Sequence, residues 1–185
     1  METESDRPDF KQLLIPGGLP DLGPGPRAGV LSETALAQAV DPLLQSARLS
    51  ASARELVRGL LLLWHDHLDA AHVIGQGIES ADGSFLHGMV HRREPDYGNA
   101  AYWFRRAGSH ACFPNLASRV SELLKANNDH SLSAELVPQG GWDSFAFIRG
   151  CEEVAGKPAS NPQAGLLRKI QGIEFEVLLE HLLKS

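Results

Sequence analysis

Residues 51–78, ASARELVRGLLLLWHDHLDAAHVIGQGI, carry an apolar pattern that only a helix can use. At 100° per residue, Leu56, Leu60, Leu63, Ala70, Ile74 and Ile78 share one face, and Val57, Leu61, Trp64, Leu68 and Ala71 fill the adjoining one. The apolar arc spans about half the circumference, wider than a helix lying on a surface needs. With Ser50 or Ser52 as N-cap, the pattern predicts one long helix reaching Ile78, central to whatever packs around it.

The rest of the chain is read against that helix. Ser32 caps a segment beginning ETALAQAV, which Asp41-Pro42 should break or restart, because the residue before proline avoids the helical region. Ser80-Ala-Asp-Gly-Ser84 reads as a turn, followed by a short helix from Phe85 to Arg93. Asp96 or Asn99 can cap the next helix, and Gly108 is its C′ candidate. Pro114 suits the first turn of NLASRVSELLKA, and residues 127–141 read as a loop. WDSFAFIRGCEEVAG predicts another helix, and Asn161-Pro162 opens the last one. No segment alternates as a strand would. The expected fold class is all-α, a compact bundle of roughly six or seven helices over residues 30–185. Residues 1–29 contain IPGGLPDLGPGPRAG and should form a flexible or extended N-terminal arm, with Leu13, Leu14 and Ile15 as anchors.

Charge and cysteine usage narrow the function classes. A net charge of −6 argues against a general nucleic-acid binder, whose footprint would be basic. No RRM, KH or OB signature accompanies the arginine-aromatic stretch described below. The acidic start lacks the form of a signal peptide, and the longest apolar run, Leu60 to Trp64, is too short for a membrane span. A soluble cytoplasmic protein with no membrane partner is expected. Cys112 and Cys151 show no zinc-finger spacing and read as free thiols. Cys112 follows His110 by two residues, a spacing that seldom points two side chains together on a helix. The absence of GxSxG, P-loop and GxGxxG patterns leaves nucleophilic serine chemistry and loop-type nucleotide binding without support.

Five of the eight histidines fall between His65 and His91. On a continuous helix His65, Asp69, His72 and Gln76 lie at i, i+4, i+7 and i+11, within about 60° on the wheel. His87 and His91 form a second i, i+4 pair. Facing helices bearing histidine and carboxylate groups are how bundle metal sites are built, so His65, Asp69, His72, His87 and His91 are candidate metal ligands. Nitrogen-rich ligation suits Zn, Fe, Cu or Ni better than Ca or Mg. The competing reading is a solvated polar face, which Arg54 and Arg58 extend, with His87 and His91 held in core hydrogen bonds; HExxH with its catalytic glutamate is absent.

HRREPDYGNAAYWFRR follows directly. Arg92, Arg93, Arg105 and Arg106 outnumber Glu94 and Asp96, leaving a local charge of +2. Arginine's planar fork binds carboxylate or phosphate bidentately, and Tyr102 and Trp103, with Tyr97 and Phe104, offer an aromatic wall. Arg92, Arg93, Asp96, Asn99, Tyr102 and Trp103 are therefore candidate contacts for a small anionic or planar ligand. His87, His91 and Glu94 are the candidate catalytic acid-base groups. The bland alternative pairs the arginines internally and buries the aromatics. Glu174 reaches a central site if the last helix packs on the long one, and is otherwise a solvated glutamate. Broad apolar faces leave a homo-oligomer open.

The segment LHGMVHRREPDYGNAAYWFRR, preceded by WHDHLDAAHVIGQ, resembles an uncharacterised, mainly bacterial protein family with an HGxxHRREPDYxNAxYWFRR-like segment. WDSFAFIRGCE and IQGIEFEVLLEHLL are similar to further segments of it. The resemblance covers most of the chain from Leu56 onward. It implies no activity, and it directs attention to His87, His91, Arg92, Arg93, Glu94, Asp96, Asn99, Tyr102 and Trp103. Two functions follow from these residues: a polar pocket, enzymatic if a metal serves it, or a non-catalytic protein whose same groups form an internal hydrogen-bond and ion-pair network.

Overall fold

A computed structural model describes residues 9–158 and 160–185. Among them are nine α-helices and no strand: α1 Glu33–Ser46, α2 Ala51–Trp64, α3 Leu68–Gly77, α4 Ala81–Arg93, α5 Tyr97–Ala107, α6 Phe113–Ala126, α7 His130–Leu136, α8 Ser144–Glu153 and α9 Pro162–Leu182. The all-α class is as expected; the count of six or seven is corrected to nine. No described helix is long and apolar enough to cross a membrane.

Two local rules account for the added helices. The predicted helix over 51–78 breaks at His65-Asp66-His67. Asp66 takes φ 67°, its N–H donates to the Leu63 carbonyl, and the His67 N–H reaches back to Leu62. That is a Schellman termination, usually made by glycine at the left-handed position; here an aspartate fills it. Residues 127–141 hold a further helix rather than only a loop. Asn128 at φ 54° ends α6 in the same way, and Asp129 at once caps α7 by accepting from Leu132 N–H. The predicted turn at residues 80–84 is instead the start of α4, because Ser80 caps it through Gly83 N–H. Pro42 does not break α1, whose flanking Val40 and Leu44 are buried.

α4 is the interior helix. Every residue from Gly83 to Arg93 is buried, although its sequence is no more apolar than a surface helix. It lies against α2, α3 and α5, while α9 packs on α2, α6 and α8. Close approach is set by two glycines. A Cβ on Gly75 would meet the His87 backbone at 3.2 Å, and one on Gly88 would meet the Phe104 ring at 2.7 Å. α3 and α5 therefore press on α4 where its histidines stand.

The arm over residues 9–31 is an ordered strap. Phe10, in a short 3-10 turn, is its buried anchor, whereas Ile15 is exposed and Leu13 and Leu14 are half-buried. Its backbone is received by side chains of the bundle. Arg93 donates to Gly23 O, Arg168 to Leu19 O, and Gln171 to Pro20 O and Asp21 O. Residues 1–8, the remainder of the expected arm, lie outside the described residues.

Candidate metal centre

The interior position of α4 forces a choice on each of its polar side chains, because a buried polar group without a partner costs about 1–3 kcal/mol. Arg92 and Arg93 resolve it inward. Arg92 forms a two-pronged pair with Glu174 of α9, also touches Gln171 Oε1, and lies over the Phe147 ring at 4.5 Å. Both members of the Arg92–Glu174 pair are fully buried. Arg93 donates to Asp66 Oδ1 at 2.6 Å, to the Leu63 carbonyl and to Gly23. The expected anion contacts from Arg92 and Arg93 are thus corrected: both guanidinium groups face internal carboxylates and carbonyls. Glu174 is neither solvated nor at the histidines.

The histidines do something else. His72 from α3 and His87 and His91 from α4 place one nitrogen each within 4.8 Å of one another. Ring centroids lie 4.6 Å apart for His72 and His87 and 4.9 Å for His72 and His91. Nε2 of His87 and Nε2 of His91 are 3.1 Å apart. Two nitrogens on one tetrahedral ion, at about 2.0–2.1 Å from it, sit roughly 3.3 Å apart, so this pair is already at ligand spacing. Nδ1 of His91 is 3.1 Å from Glu94 Oε2, but out of line for a hydrogen bond. Glu94 also lies 3.8 Å from Nδ1 of His72.

The trio is graded from interior to solvent. His87 is 1% exposed and His91 7%, while the His72 side chain is 33% exposed and that of Glu94 25%. Burial, with repulsion from His91 and His72, pushes His87 down to about 4. Burial likewise lowers His91, against the opposing pull of Glu94. Both rings are therefore neutral near pH 7 and keep a lone pair for an ion. The other nitrogen of His87, Nδ1, is buried with no hydrogen-bond partner. Trp103 stacks on His87 with centroids 4.0 Å apart, and Arg106 sits 5.2 Å from the Trp103 ring.

Other expected site residues fall elsewhere. His65 leaves the metal set: its Nδ1 accepts from Leu31 N–H and its Nε2–H donates to Leu13 O, so both nitrogens hold the strap. The helix break at Asp66 dissolves the His65/Asp69/His72/Gln76 stripe; Asp69 and Gln76 are exposed on α3 and outside the trio. Asp96 caps α5 through Asn99 N–H and binds Asn99 Nδ2 at 2.7 Å. The hydrogen bonds from Asn99 hold its carboxyl below the usual range. Its Oδ2 is 3.9 Å from His91 Nδ1, at the rim of the site. Asn99 and Tyr102 are exposed there. Sequence reasoning missed Asp66 as the partner of Arg93; its left-handed helix end carried no glycine to mark it. It also set aside His110 and Cys112, which fold onto His181.

Comparison with family models, with curated proteins and with solved structures finds no match. The site is therefore read on its geometry.

Proposed function

We propose that this protein binds a divalent transition metal through His72, His87 and His91, with Glu94 as the carboxylate beside Nδ1 of His91. The observation that carries the reading is the convergence of three imidazoles from two helices, two of them buried and held neutral, with one nitrogen of each within 4.8 Å of the others. A carboxylate at Nδ1 of a histidine whose Nε2 faces the ion is the usual second shell of such centres. Three nitrogen ligands leave a coordination position for water or substrate, and the half-exposed His72 and Glu94 put that position at the surface. A bound ion would supply Lewis-acid chemistry there, with Glu94 placed to accept a proton and Tyr102, Trp103 and Asp96 bordering a small anionic or planar substrate.

The reading is tested by metal analysis of purified protein and by calorimetric titration of chelator-treated protein with Zn²⁺, Ni²⁺ and Cu²⁺. One equivalent should bind through the trio. His72→Ala, at the accessible edge, should lower affinity at least tenfold while the fold is retained. Unchanged binding in His72→Ala and His91→Ala would sink it. A second reading, a non-catalytic protein held by an internal polar network, is favoured by Arg92–Glu174 and Arg93–Asp66, and it predicts no metal at the histidines.

A further inference from the structure

A second group of ligand-type side chains lies away from the trio, at the far end of α4. His110 and Cys112 come from the α5–α6 turn and His181 from the last turn of α9; their ligand atoms are within 4.8 Å of one another. Asp82, in the first turn of α4, joins them. Its Oδ1 is 2.9 Å from His110 Nε2 and 3.0 Å from His181 Nε2. We propose that His110, Cys112 and His181 form a second, thiolate-containing zinc site, with Asp82 as its orienting carboxylate, which fastens the C-terminal helix to α4 and to the α5–α6 turn.

The tautomers support the assignment. His110 Nε2–H donates to Asp82, so the lone pair of this ring is on Nδ1, and Nδ1 faces Cys112, whose backbone N–H it accepts at 3.1 Å. A carboxylate behind a histidine, with the opposite nitrogen left as the lone-pair donor, is the arrangement of a carboxylate–histidine–zinc centre, and the Cys112 thiol, 3.9 Å from the Val177 carbonyl, lies in the same cluster. An ion at Nδ1 replaces the contact with the Cys112 N–H. Ligands on one tetrahedral zinc, at about 2.0–2.3 Å from it, stand roughly 3.3–3.8 Å apart. From their 4.8 Å limit the three groups would need to close by up to about 1.5 Å. The His181 side chain is 30% exposed and that of Asp82 24%, which gives an ion a way in, whereas Cys112 is buried. Sulfur distinguishes this site from the all-nitrogen trio and selects zinc over harder ions. Binding expels the thiol proton to solvent, so affinity should rise with pH.

Cobalt(II) is the probe, because a thiolate ligand gives it a near-ultraviolet charge-transfer band that imidazole ligands do not. Chelator-treated full-length protein is titrated with Co²⁺ and then with Zn²⁺. The wild-type protein should develop the band and lose it on adding Zn²⁺. Cys112→Ser should abolish it, His181→Asn, at the exposed edge, should weaken Co²⁺ binding at this site at least tenfold, and Cys151→Ser and His72→Ala should retain it. Absence of the band in saturated wild-type protein overturns the proposal without reference to any variant's folding. So does a band that survives Cys112→Ser, or one that disappears with Cys151→Ser. Loss of the trio's metal in His72→Ala, with the band intact, separates the two sites.

Discussion

Asp66 is where one substitution should do most. Its carboxylate is buried, accepts from Arg27 N–H at 2.7 Å and Nε at 2.9 Å, and takes Arg93 Nη2 at 2.6 Å. Burial pushes its carboxyl up, but the hydrogen bonds from Arg27 and Arg93 outweigh burial and hold it below the ordinary range. Removing one partner of a buried ion pair costs about 3–5 kcal/mol. Here Arg27 keeps the carbonyls of Gly17, Gly18 and Trp64, and Arg93 keeps Gly23 and Leu63. The loss belongs at the low end, about 3 kcal/mol. Alanine at the left-handed φ of 67° adds roughly 1 kcal/mol more, and glycine does not. Asp66→Ala should therefore lose about 4 kcal/mol and Asp66→Gly about 3, so that glycine is the milder change.

Urea denaturation measures both. With a slope of about 2 kcal/mol per molar, the midpoint should fall by roughly 2 M in Asp66→Ala and 1.5 M in Asp66→Gly. Trypsin should cut faster after Arg27 in both variants, since the strap loses its principal tie. If Asp66→Gly unfolds within about 0.5 kcal/mol of wild type, the carboxylate is not what holds the two arginines, and the reasoning fails.

Three further outcomes follow from the same geometry. Glu174→Gln leaves Arg92 buried without its counter-charge and should cost about 3 kcal/mol by urea denaturation, against about 0.5 for a surface glutamate such as Glu122. Gly75→Ala places a methyl 3.2 Å from the His87 backbone and drives α3 off α4, so metal affinity at the trio, measured by calorimetry, should fall more than stability does. His87 is depressed to about 4 from an ordinary 6.5, so between those values the unfolded chain binds a proton that the folded chain refuses. Metal-free protein should then lose stability as pH falls from about 6.5 to about 4, by at most about 1.4 kcal/mol per pH unit from this group. The slope should flatten in His87→Asn, and an unaltered pH profile in that variant would count against the neutral buried ring.

Legibility in the sequence followed the range of the interactions. Ser32, Ser50, Asp96 and Asn161 act as the N-caps their positions suggest, because capping is decided within three residues. The end of α6 at Ala126 was legible and the α7 that follows it was not; the helix end at Asp66 was illegible, because a non-glycine residue holds the left-handed position and two arginines from distant segments hold its side chain. The His87/His91 pair shares one face by spacing alone. His72 joins it across the return from α3 to α4, where Gly75 lets the helices approach, and the break at Asp66 removes His65 and Asp69 from the group. Arg92 and Arg93 are adjacent to the site in sequence and spatially turned away from it, a difference in direction that periodicity around a fully buried helix does not resolve.

That difference in direction sharpens what α4 does. A helix buried on all sides normally carries apolar residues throughout, and each exception must be met. On α4 the two arginines are met by groups of opposite charge from α9 and the α2–α3 turn, so they fix where those elements stand. Uncharged His87 and His91 cannot be satisfied in that way by one another: their rings meet through Nε2 and pair only in part. Adding a proton to either is opposed by burial and by the neighbouring rings. A divalent cation would instead take one lone pair from each of three rings, with the Glu94 carboxylate beside them. The two guanidinium groups have their counter-charges inside the bundle, although Arg92 Nε is unmet, whereas the three histidines converge on one another; the metal reading therefore belongs to the trio and not to the arginine-rich segment beside it.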